Sequence, residues 1–189
     1  AAVGGGYLAG KVAIIGASPS HIEAPFNDPS WEIWCCNYLW KLCKDKQGRF
    51  RADRWFELHP LSIPPQQEHE LEAMRACPVP LYVIEEDASM PQSVRFPIEW
   101  ILLETGGRDY FACTFAFQIA LAIALGFREI LMCGTDLLAG REFILERPNT
   151  EWWMGFAQGK GITCGAADSS ALAWHPFRYG YDYQDELEF

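Results

Sequence analysis

The fold is decided by one stretch, Phe111-Ala-Cys-Thr-Phe-Ala-Phe-Gln-Ile-Ala-Leu-Ala-Ile-Ala-Leu125, with Gly126 and then Ile130-Leu-Met-Cys-Gly-Thr-Asp136 after it. The first part is apolar on nearly every side of a helix, which is typical of a helix buried against a sheet. Gly126 suits the left-handed residue that ends a helix. The second part is a short apolar run that stops at glycine, as a buried parallel strand does. The stretch therefore predicts one helix–strand unit of an α/β protein.

Similar segments recur along the rest of the chain, separated by polar and proline-containing stretches. We predict further strands at residues 11–16, 31–36, 54–59, 80–84 and 161–164, further helices at 65–76 and 149–159, and a loop containing Pro91 and Pro97. Thr150 is the predicted N-cap of the helix at 149–159. Because strands alternate with helices, the predicted fold is a single-domain, Rossmann-like, doubly wound α/β fold. Its sheet is mostly parallel, with helices on both faces. The predicted domain covers residues 11–189, and 1–10 form an extension or a cloning remnant.

Composition limits the classes of function. The chain has 189 residues and a formal net charge of −10, which argues against a protein that coats nucleic acid or anionic membranes, because it would repel phosphate at long range. No apolar run reaches the length of a membrane span, and no signal peptide is evident. The seven cysteines form no CxxC pair, so we expect buried free thiols in a reducing cytoplasm and no structural zinc.

Small and polar residues follow the predicted strands, and in a parallel sheet these strand ends share one edge, where ligands bind. Gly16-Ala-Ser-Pro-Ser20 follows the first strand and offers hydroxyls and backbone amides to a phosphate, although it is neither a P-loop nor a GxGxxG motif. Asn37 follows the second strand and can both donate and accept hydrogen bonds. His59 ends the third strand and suits ligand contact or proton transfer. Each of these residues also has an ordinary interpretation as a turn, cap or solvated residue.

Further candidates lie in the second half of the chain. Thr114 stands at or near the start of the apolar helix, where a hydroxyl and free amides attract anions. Asp136 ends the last strand of the opening stretch, and His175 is the single histidine of the C-terminal half, so both are candidates to orient or deprotonate an acceptor. Cys113 has no base beside it in the sequence, which argues against a nucleophilic role. The cationic residues nearest the later strand ends are Arg141, Arg147, Lys160 and Arg178.

Together these segments resemble a known superfamily that includes the Campylobacter-type sialyltransferases and the 6-hydroxymethylpterin diphosphokinase (MptE-like) proteins. The shared features are the Gly-x-x-Pro-Ser loop at 16–20, the Cys36-Asn37 strand end, and the run Cys113-Thr114 to Cys133-Gly-Thr-Asp136 that contains Ala-Ile-Ala-Leu-Gly. They keep their order and approximate spacing over residues 11–138. His59-Pro60 stands where the sialyltransferases have Asn-Pro, which is a departure from their pattern.

The chain also looks like small phage-encoded proteins of this group. They share an Arg-Ala-Asp-Arg-Trp-Phe-Glu stretch like 51–57, an Arg-Pro-Asn-x-Glu helix start like 147–151, and a closing Tyr-Gly-Tyr-acid like 179–182. This resemblance implies a phage or prophage source and the cytoplasm of a bacterial host. It implies no particular activity.

The resemblance to sialyltransferases implies a nucleotide site lined by Gly16, Ser18, Ser20, Asn37 and His59, with Thr114 and Asp136 nearby. The favoured function is a metal-independent glycosyltransferase with a nucleotide-activated donor, in which Asp136 or His175 acts on the acceptor. The alternatives are a non-catalytic binder of a nucleotide or nucleotide-derived signal, an ATP-dependent diphosphokinase, and a virion or interaction protein without a ligand.

These expectations extend to ligands and partners. No tightly bound cofactor and no metal site is expected, and magnesium enters under the diphosphokinase alternative alone. The expected partner is a small-molecule nucleotide, with neither general nucleic-acid binding nor a membrane. The default assembly for such a chain is an isologous homodimer.

Overall fold

The computed structural model describes residues 10–60 and 68–174, and their strands form one parallel sheet. The strands are β1 (Lys11–Ile15), β2 (Trp31–Cys36), β3 (Arg54–Glu57), β4 (Leu81–Val83), β5 (Ser93–Arg95), β6 (Glu129–Cys133) and β7 (Thr163–Ala166). Their order across the sheet is β5-β4-β3-β2-β1-β6-β7, and every neighbouring pair is parallel. This confirms the predicted Rossmann-like α/β fold.

Four α-helices cover the two faces of the sheet within the described residues. They are α1 (Glu68–Arg75), α2 (Ile98–Glu104), α3 (Thr114–Leu125) and α4 (Arg147–Gly159). Shorter helical segments are the 3₁₀ turns Pro19–Glu23 and Asn37–Leu42 and the π-helical turn Glu142–Glu146. None of the helices in the described part is long and apolar enough to cross a membrane.

Strand periodicity divides the core into two layers. Val12 and Ile14 of β1 point into the layer that contains α2, α3 and α4, while Ala13 and Ile15 point into the opposite layer with Met74 of α1. Successive side chains of a strand alternate between faces, so an uninterrupted apolar run is what a strand buried on both faces requires. Helices on both faces were predicted, and the two layers confirm them.

The opening stretch folds as predicted, with small changes of boundary. Thr114 is the first residue of α3, and Gly126 ends that helix in the left-handed conformation with a φ of 79°. At this φ glycine carries no Cβ penalty, which is why it stops the helix cleanly. The strand after it begins at Glu129 and ends at Cys133.

Two elements were missed and one cap was wrong. The predicted loop around Pro91 and Pro97 contains β5 and α2, which are only three and seven residues long and therefore show little periodicity. The last helix begins at Arg147, with Pro148 in its first turn, so Thr150 is not its N-cap. The Thr150 hydroxyl instead donates to the carbonyl of Glu146, one turn back in the chain, at 2.8 Å.

Candidate functional site

The strand order reverses between β1 and β6, and the two strands end in a very close backbone contact. Strands β2 to β5 follow one another on one side of β1, whereas β6 and β7 lie on its other side. Gly16 N donates to the carbonyl of Cys133 at 2.7 Å, and Ser18 N donates to the carbonyl of Gly134 at 2.8 Å. In an open α/β sheet, such a reversal opens a crevice at the carboxyl ends of the strands, where ligands bind.

A cavity of about 700 Å³ lies in this crevice. It is lined by the ends of β1, β2, β3 and β6, by the start of α3 and by the π-helical turn. Four of the predicted site residues line it together, namely Ser18, Asn37, His59 and Thr114. Residues far apart in the sequence therefore meet at one edge because parallel strands all end there.

The other predicted site residues are placed differently. Gly16 and Ser20 are buried and do not line the cavity. Ser20 Oγ accepts a hydrogen bond from Gly134 N at 2.9 Å, so it holds the two strand ends together. His175 lies outside the described residues, and its catalytic role stays a prediction.

Asp136 also lies outside the cavity lining. Its Oδ1 accepts hydrogen bonds from Ser170 Oγ at 2.5 Å, from Ala171 N at 3.3 Å and, more weakly, from Ser20 Oγ at 3.5 Å. These contacts anchor the segment after β7 to the end of β6. The catalytic role of Asp136 stays a prediction, and one oxygen of its carboxylate is already occupied by these donors.

The backbone amides of the first loop are less available to a phosphate than the sequence suggested. Those of Gly16 and Ser18 are donated to the β6 carbonyls, and Pro19 has no amide hydrogen. The amides of Gly16 and Ser18 are therefore not free to hold an anion, whereas an anion-binding role of the loop as a whole stays a prediction. Ala17 and Ser18 of this loop line the cavity, and the Ser18 hydroxyl does not cap the helical turn that follows.

Asn37 is the most distinctive polar group of the cavity wall. Its φ of 49° is left-handed, a region in which asparagine is among the best tolerated non-glycine residues. Its carbonyl accepts a hydrogen bond from Trp55 Nε1 at 2.9 Å, which fixes the turn. Its side-chain Oδ1 is buried and has no hydrogen-bond partner among the described residues. A buried acceptor without a donor is costly, so this oxygen is suited to a donor from a ligand.

His59 and Glu57 form a hydrogen-bonded pair at the end of β3. The ring Nδ1 lies 2.8 Å from Glu57 Oε1, and the His59 amide donates to the same oxygen at 3.3 Å. The Glu57 side chain is 1% exposed, whereas that of His59 is 57% exposed. Glu57 is not among the residues predicted from the sequence. The sequence feature that could have identified it is a carboxylate within the apolar run Trp-Phe-Glu-Leu-His, two residues before the histidine.

The charges around the cavity are mixed. Glu142 and Glu146 of the π-helical turn line it, as does Arg141 directly before that turn. Burial, helped by the neighbouring Glu142, raises the pKa of the Glu146 carboxyl. Of the other predicted cations, Arg147 is paired with Glu151 at 2.9 Å and Lys160 lies over the Phe156 ring, so neither faces the cavity. Arg178 lies outside the described residues.

Cys113 lines the cavity without the features of a nucleophile. Burial raises the pKa of its thiol, which favours the uncharged form. Its sulfur lies 3.2 Å from Thr150 Oγ1, and no histidine contacts it among the described residues. No group of three or more His, Cys, Asp or Glu side chains that could hold a metal ion occurs in residues 10–60 and 68–174.

Hydrogen bonds and ring stacking from α4 fix the part of the cavity wall that contains Cys113. Asn149 is fully buried, accepts a hydrogen bond from Ala112 N at 2.8 Å and donates to the Tyr110 carbonyl at 2.9 Å. The Phe111 ring between them stacks on Trp153 with centroids 5.0 Å apart. This helix therefore sets the position of the segment that leads into α3.

A carboxylate clamp near the site gives a pH-dependent signal. Glu23 accepts hydrogen bonds from the Ser169 hydroxyl and from the amides of Ser169 and Asp168, and these bonds lower its pKa. The pKa of Glu23 is lower in the folded state than in the unfolded state. The stabilisation from these hydrogen bonds is therefore fully present above the unfolded-state pKa and is lost as the pH falls through the folded-state pKa. In an NMR titration, we expect the amide protons of Asp168 and Ser169 to shift with a midpoint below that of an exposed glutamate. A midpoint equal to that of an exposed glutamate, or the same titration in Glu23→Gln, would contradict the clamp.

The comparisons with known proteins bear on the fold. No protein-family model matches the sequence, and no curated protein matches it either. Solved structures of the sialyltransferase CstII from Campylobacter jejuni are similar. Its complex with CMP-3FNeuAc has a TM-score of 0.60 at 16% identity and covers 86% of this chain and 82% of that one. Its complex with a trisaccharide acceptor and CMP has a TM-score of 0.57 at 16% identity, covering 86% and 83%. This likeness supports a Campylobacter-type sialyltransferase-like fold, whereas the phage source and the MptE-like relation stay predictions.

Proposed function

We propose that this protein binds a cytidine nucleotide in the cavity at the β1–β6 junction and transfers a sugar from it, as a glycosyltransferase. The observation that carries the proposal is the cavity itself, whose wall contains Ser18, Asn37 and Thr114. Within that wall the Asn37 Oδ1 is buried and has no hydrogen-bond partner among the described residues. A nucleoside supplies the amino and hydroxyl donors that such an acceptor requires. The similar structures contain CMP or a CMP-sugar analogue in a protein of the same fold.

The charge of the cavity favours a donor with one phosphate. Among the described residues that line it, Arg141 is the only permanently cationic side chain, and it is accompanied by Glu142 and Glu146. A diphosphate would bring about twice the negative charge to a wall with no net positive charge. A nucleoside monophosphate donor requires less compensation, and the hydroxyls of Ser18 and Thr114 can contact its phosphate.

The test of ligand binding is a thermal-shift panel of CMP, UDP, GDP, ATP and NAD. A ligand that binds the native state raises its melting temperature. At a ligand concentration of a hundred times the Kd, binding adds about 2.7 kcal/mol to the free energy of unfolding. We expect the rise with CMP to be the largest of the panel. The absence of a rise with every nucleotide would contradict the proposal.

The Asn37→Gly variant tests the contact that carries the proposal. Glycine adopts a φ of 49° freely, so we expect the unliganded protein to keep its melting temperature, while the Kd for CMP rises about tenfold through the loss of one hydrogen bond. Calorimetric titration measures the Kd. The matched control is Asn27→Gly, because Asn27 is exposed and lies outside the cavity lining. Equal CMP affinity in wild type and Asn37→Gly would remove Asn37 from the site.

A non-catalytic binder is the second candidate. It is favoured by the contacts of Asp136, whose carboxylate anchors the segment after β7 and lies outside the cavity lining. A melting-temperature rise with CMP, combined with no release of CMP from any CMP-activated sugar, would favour the binder over the transferase.

A further inference from the structure

We propose that Glu57 and His59 act as a proton-accepting pair in this cavity, with His59 as the catalytic base for the acceptor hydroxyl and Glu57 as its positioning residue. The proposal rests on the proposed transferase function. It assigns the base to the end of β3, within the described cavity wall.

The geometry of the pair defines which ring nitrogen can accept a proton. Glu57 Oε1 lies 2.8 Å from His59 Nδ1, and an ionised carboxylate accepts hydrogen bonds without donating any, so in the proposed pair the ring hydrogen is on Nδ1. The other ring nitrogen, Nε2, then has a free lone pair in the neutral imidazole. A buried carboxylate behind an exposed histidine is also the arrangement that orients the base in hydrolytic triads.

Local structure explains why the pair forms. β3 ends at Glu57, and the chain bends at His59 two residues later. Both the amide and the ring Nδ1 of His59 therefore reach Glu57 Oε1. Glu57 is almost fully buried, so its carboxylate is shielded from water and holds the ring in one orientation.

The position of His59 suits a two-substrate reaction. It lines the cavity of about 700 Å³ and also a neighbouring cleft of about 370 Å³ at the end of β4. A donor in the first space and an acceptor entering through the second would meet beside this ring. Glu146, from the π-helical turn, lines the same cavity.

The chemical step balances with these groups alone. The acceptor oxygen forms a bond to the anomeric carbon of the sugar as the bond from that carbon to the phosphate oxygen breaks, and its electron pair leaves with CMP. The acceptor proton moves to His59 Nε2. The resulting imidazolium is stabilised by the ionised Glu57, and the proton passes to water when the products leave.

The experiment follows CMP release from a panel of CMP-activated sugars, with water and with neutral sugars as acceptors. In His59→Asn, which places the sialyltransferase-like residue at this strand end, we expect kcat to fall about a hundredfold or more, with the CMP-induced rise in melting temperature retained. In His59→Ala, added imidazole should restore part of the lost rate, which a purely structural role would not allow. Because the His59 side chain is exposed, we expect both variants to fold as the wild type does, which the melting temperature without ligand checks.

Glu57→Gln tests the positioning role separately. We expect a lower kcat at an unchanged KM for the donor, and a ¹⁵N NMR spectrum in which the His59 ring no longer prefers hydrogen on Nδ1. Glu99→Gln is the matched control, because Glu99 is exposed on α2 and lies outside the cavity lining.

The outcomes separate this proposal from the one on which it rests. If no nucleotide raises the melting temperature of the wild type, the proposed function fails. If CMP binds but the wild type releases no CMP from any donor, the transferase part of the proposed function fails, and the base assignment fails with it. If the wild type releases CMP from a donor and His59→Asn keeps the wild-type kcat, the Glu57–His59 pair is not the base, although the proposed function stands.

Discussion

Gly16→Ala is expected to lower the free energy of unfolding by about 3 kcal/mol, the upper part of the usual range for overpacking. A Cβ at this position would lie 2.1 Å from the Gly134 carbonyl oxygen and 2.9 Å from Thr135 Cγ2. The nearest atom belongs to the backbone of β6's end, so no side-chain rotation relieves the contact. The two strand ends would have to separate, and the cavity between them would change shape. Urea denaturation with an unchanged m-value measures the effect.

The control for this variant is Gly155→Ala. Gly155 lies in the middle of α4, and an added Cβ would have no neighbour within 4 Å. Alanine is favoured over glycine in a helix by about 0.5–1 kcal/mol, so this variant should be slightly stabilised. If both glycine variants unfold at the same urea concentration, the close approach of β1 and β6 is not a constraint on stability.

Asn149→Ala is expected to cost about 2–3 kcal/mol and to weaken CMP binding about tenfold. The substitution removes the acceptor for Ala112 N and one of the two donors to the Tyr110 carbonyl, the other being Trp153 Nε1 at 2.7 Å. The segment before α3 then keeps only its contacts with Trp153 and loses those with Asn149. Because this segment forms one wall of the cavity, stability and affinity should fall together. Urea denaturation and calorimetric titration with CMP measure the two quantities.

Asn27→Ala provides the comparison for Asn149→Ala. Asn27 accepts a hydrogen bond from Lys46 N at 2.9 Å, but both groups are exposed and water replaces the lost contact. We expect its stability to change by less than about 1 kcal/mol, with unaltered CMP affinity. A loss of stability in Asn149→Ala without any loss of affinity would show that the wall keeps its position without the Asn149 contacts.

The buried strands and α3 were predictable because burial on both faces leaves an uninterrupted apolar run. The run at β1 and the helix at α3 are continuous in the sequence and buried in the structure. β5 was not predictable in this way, since it has three residues at the edge of the sheet and its Val94 is exposed. Its pairing with β4 depends on the tertiary structure.

The site was predictable to the extent that parallel strands end together. This rule placed Ser18, Asn37 and His59 at one edge, and the cavity brings them together with Thr114. The rule does not predict which of these side chains already form hydrogen bonds within the protein and are therefore unavailable to a ligand. The Ser170 hydroxyl that donates to Asp136 Oδ1 lies 34 residues later in the chain. No local sequence pattern around Asp136 indicates this hydrogen bond.

The β1–β6 junction also has a consequence for how the chain folds. Lys11 pairs with Glu129, so this contact spans over a hundred residues, the longest separation of any neighbouring strand pair in the sheet. Loop-closure entropy rises with that separation, and contacts of this kind slow folding. Until β6 arrives, one hydrogen-bonding edge of β1 is unpaired and open to association with other chains. The junction that creates the cavity is thus also the place where a newly made chain is most exposed to aggregation.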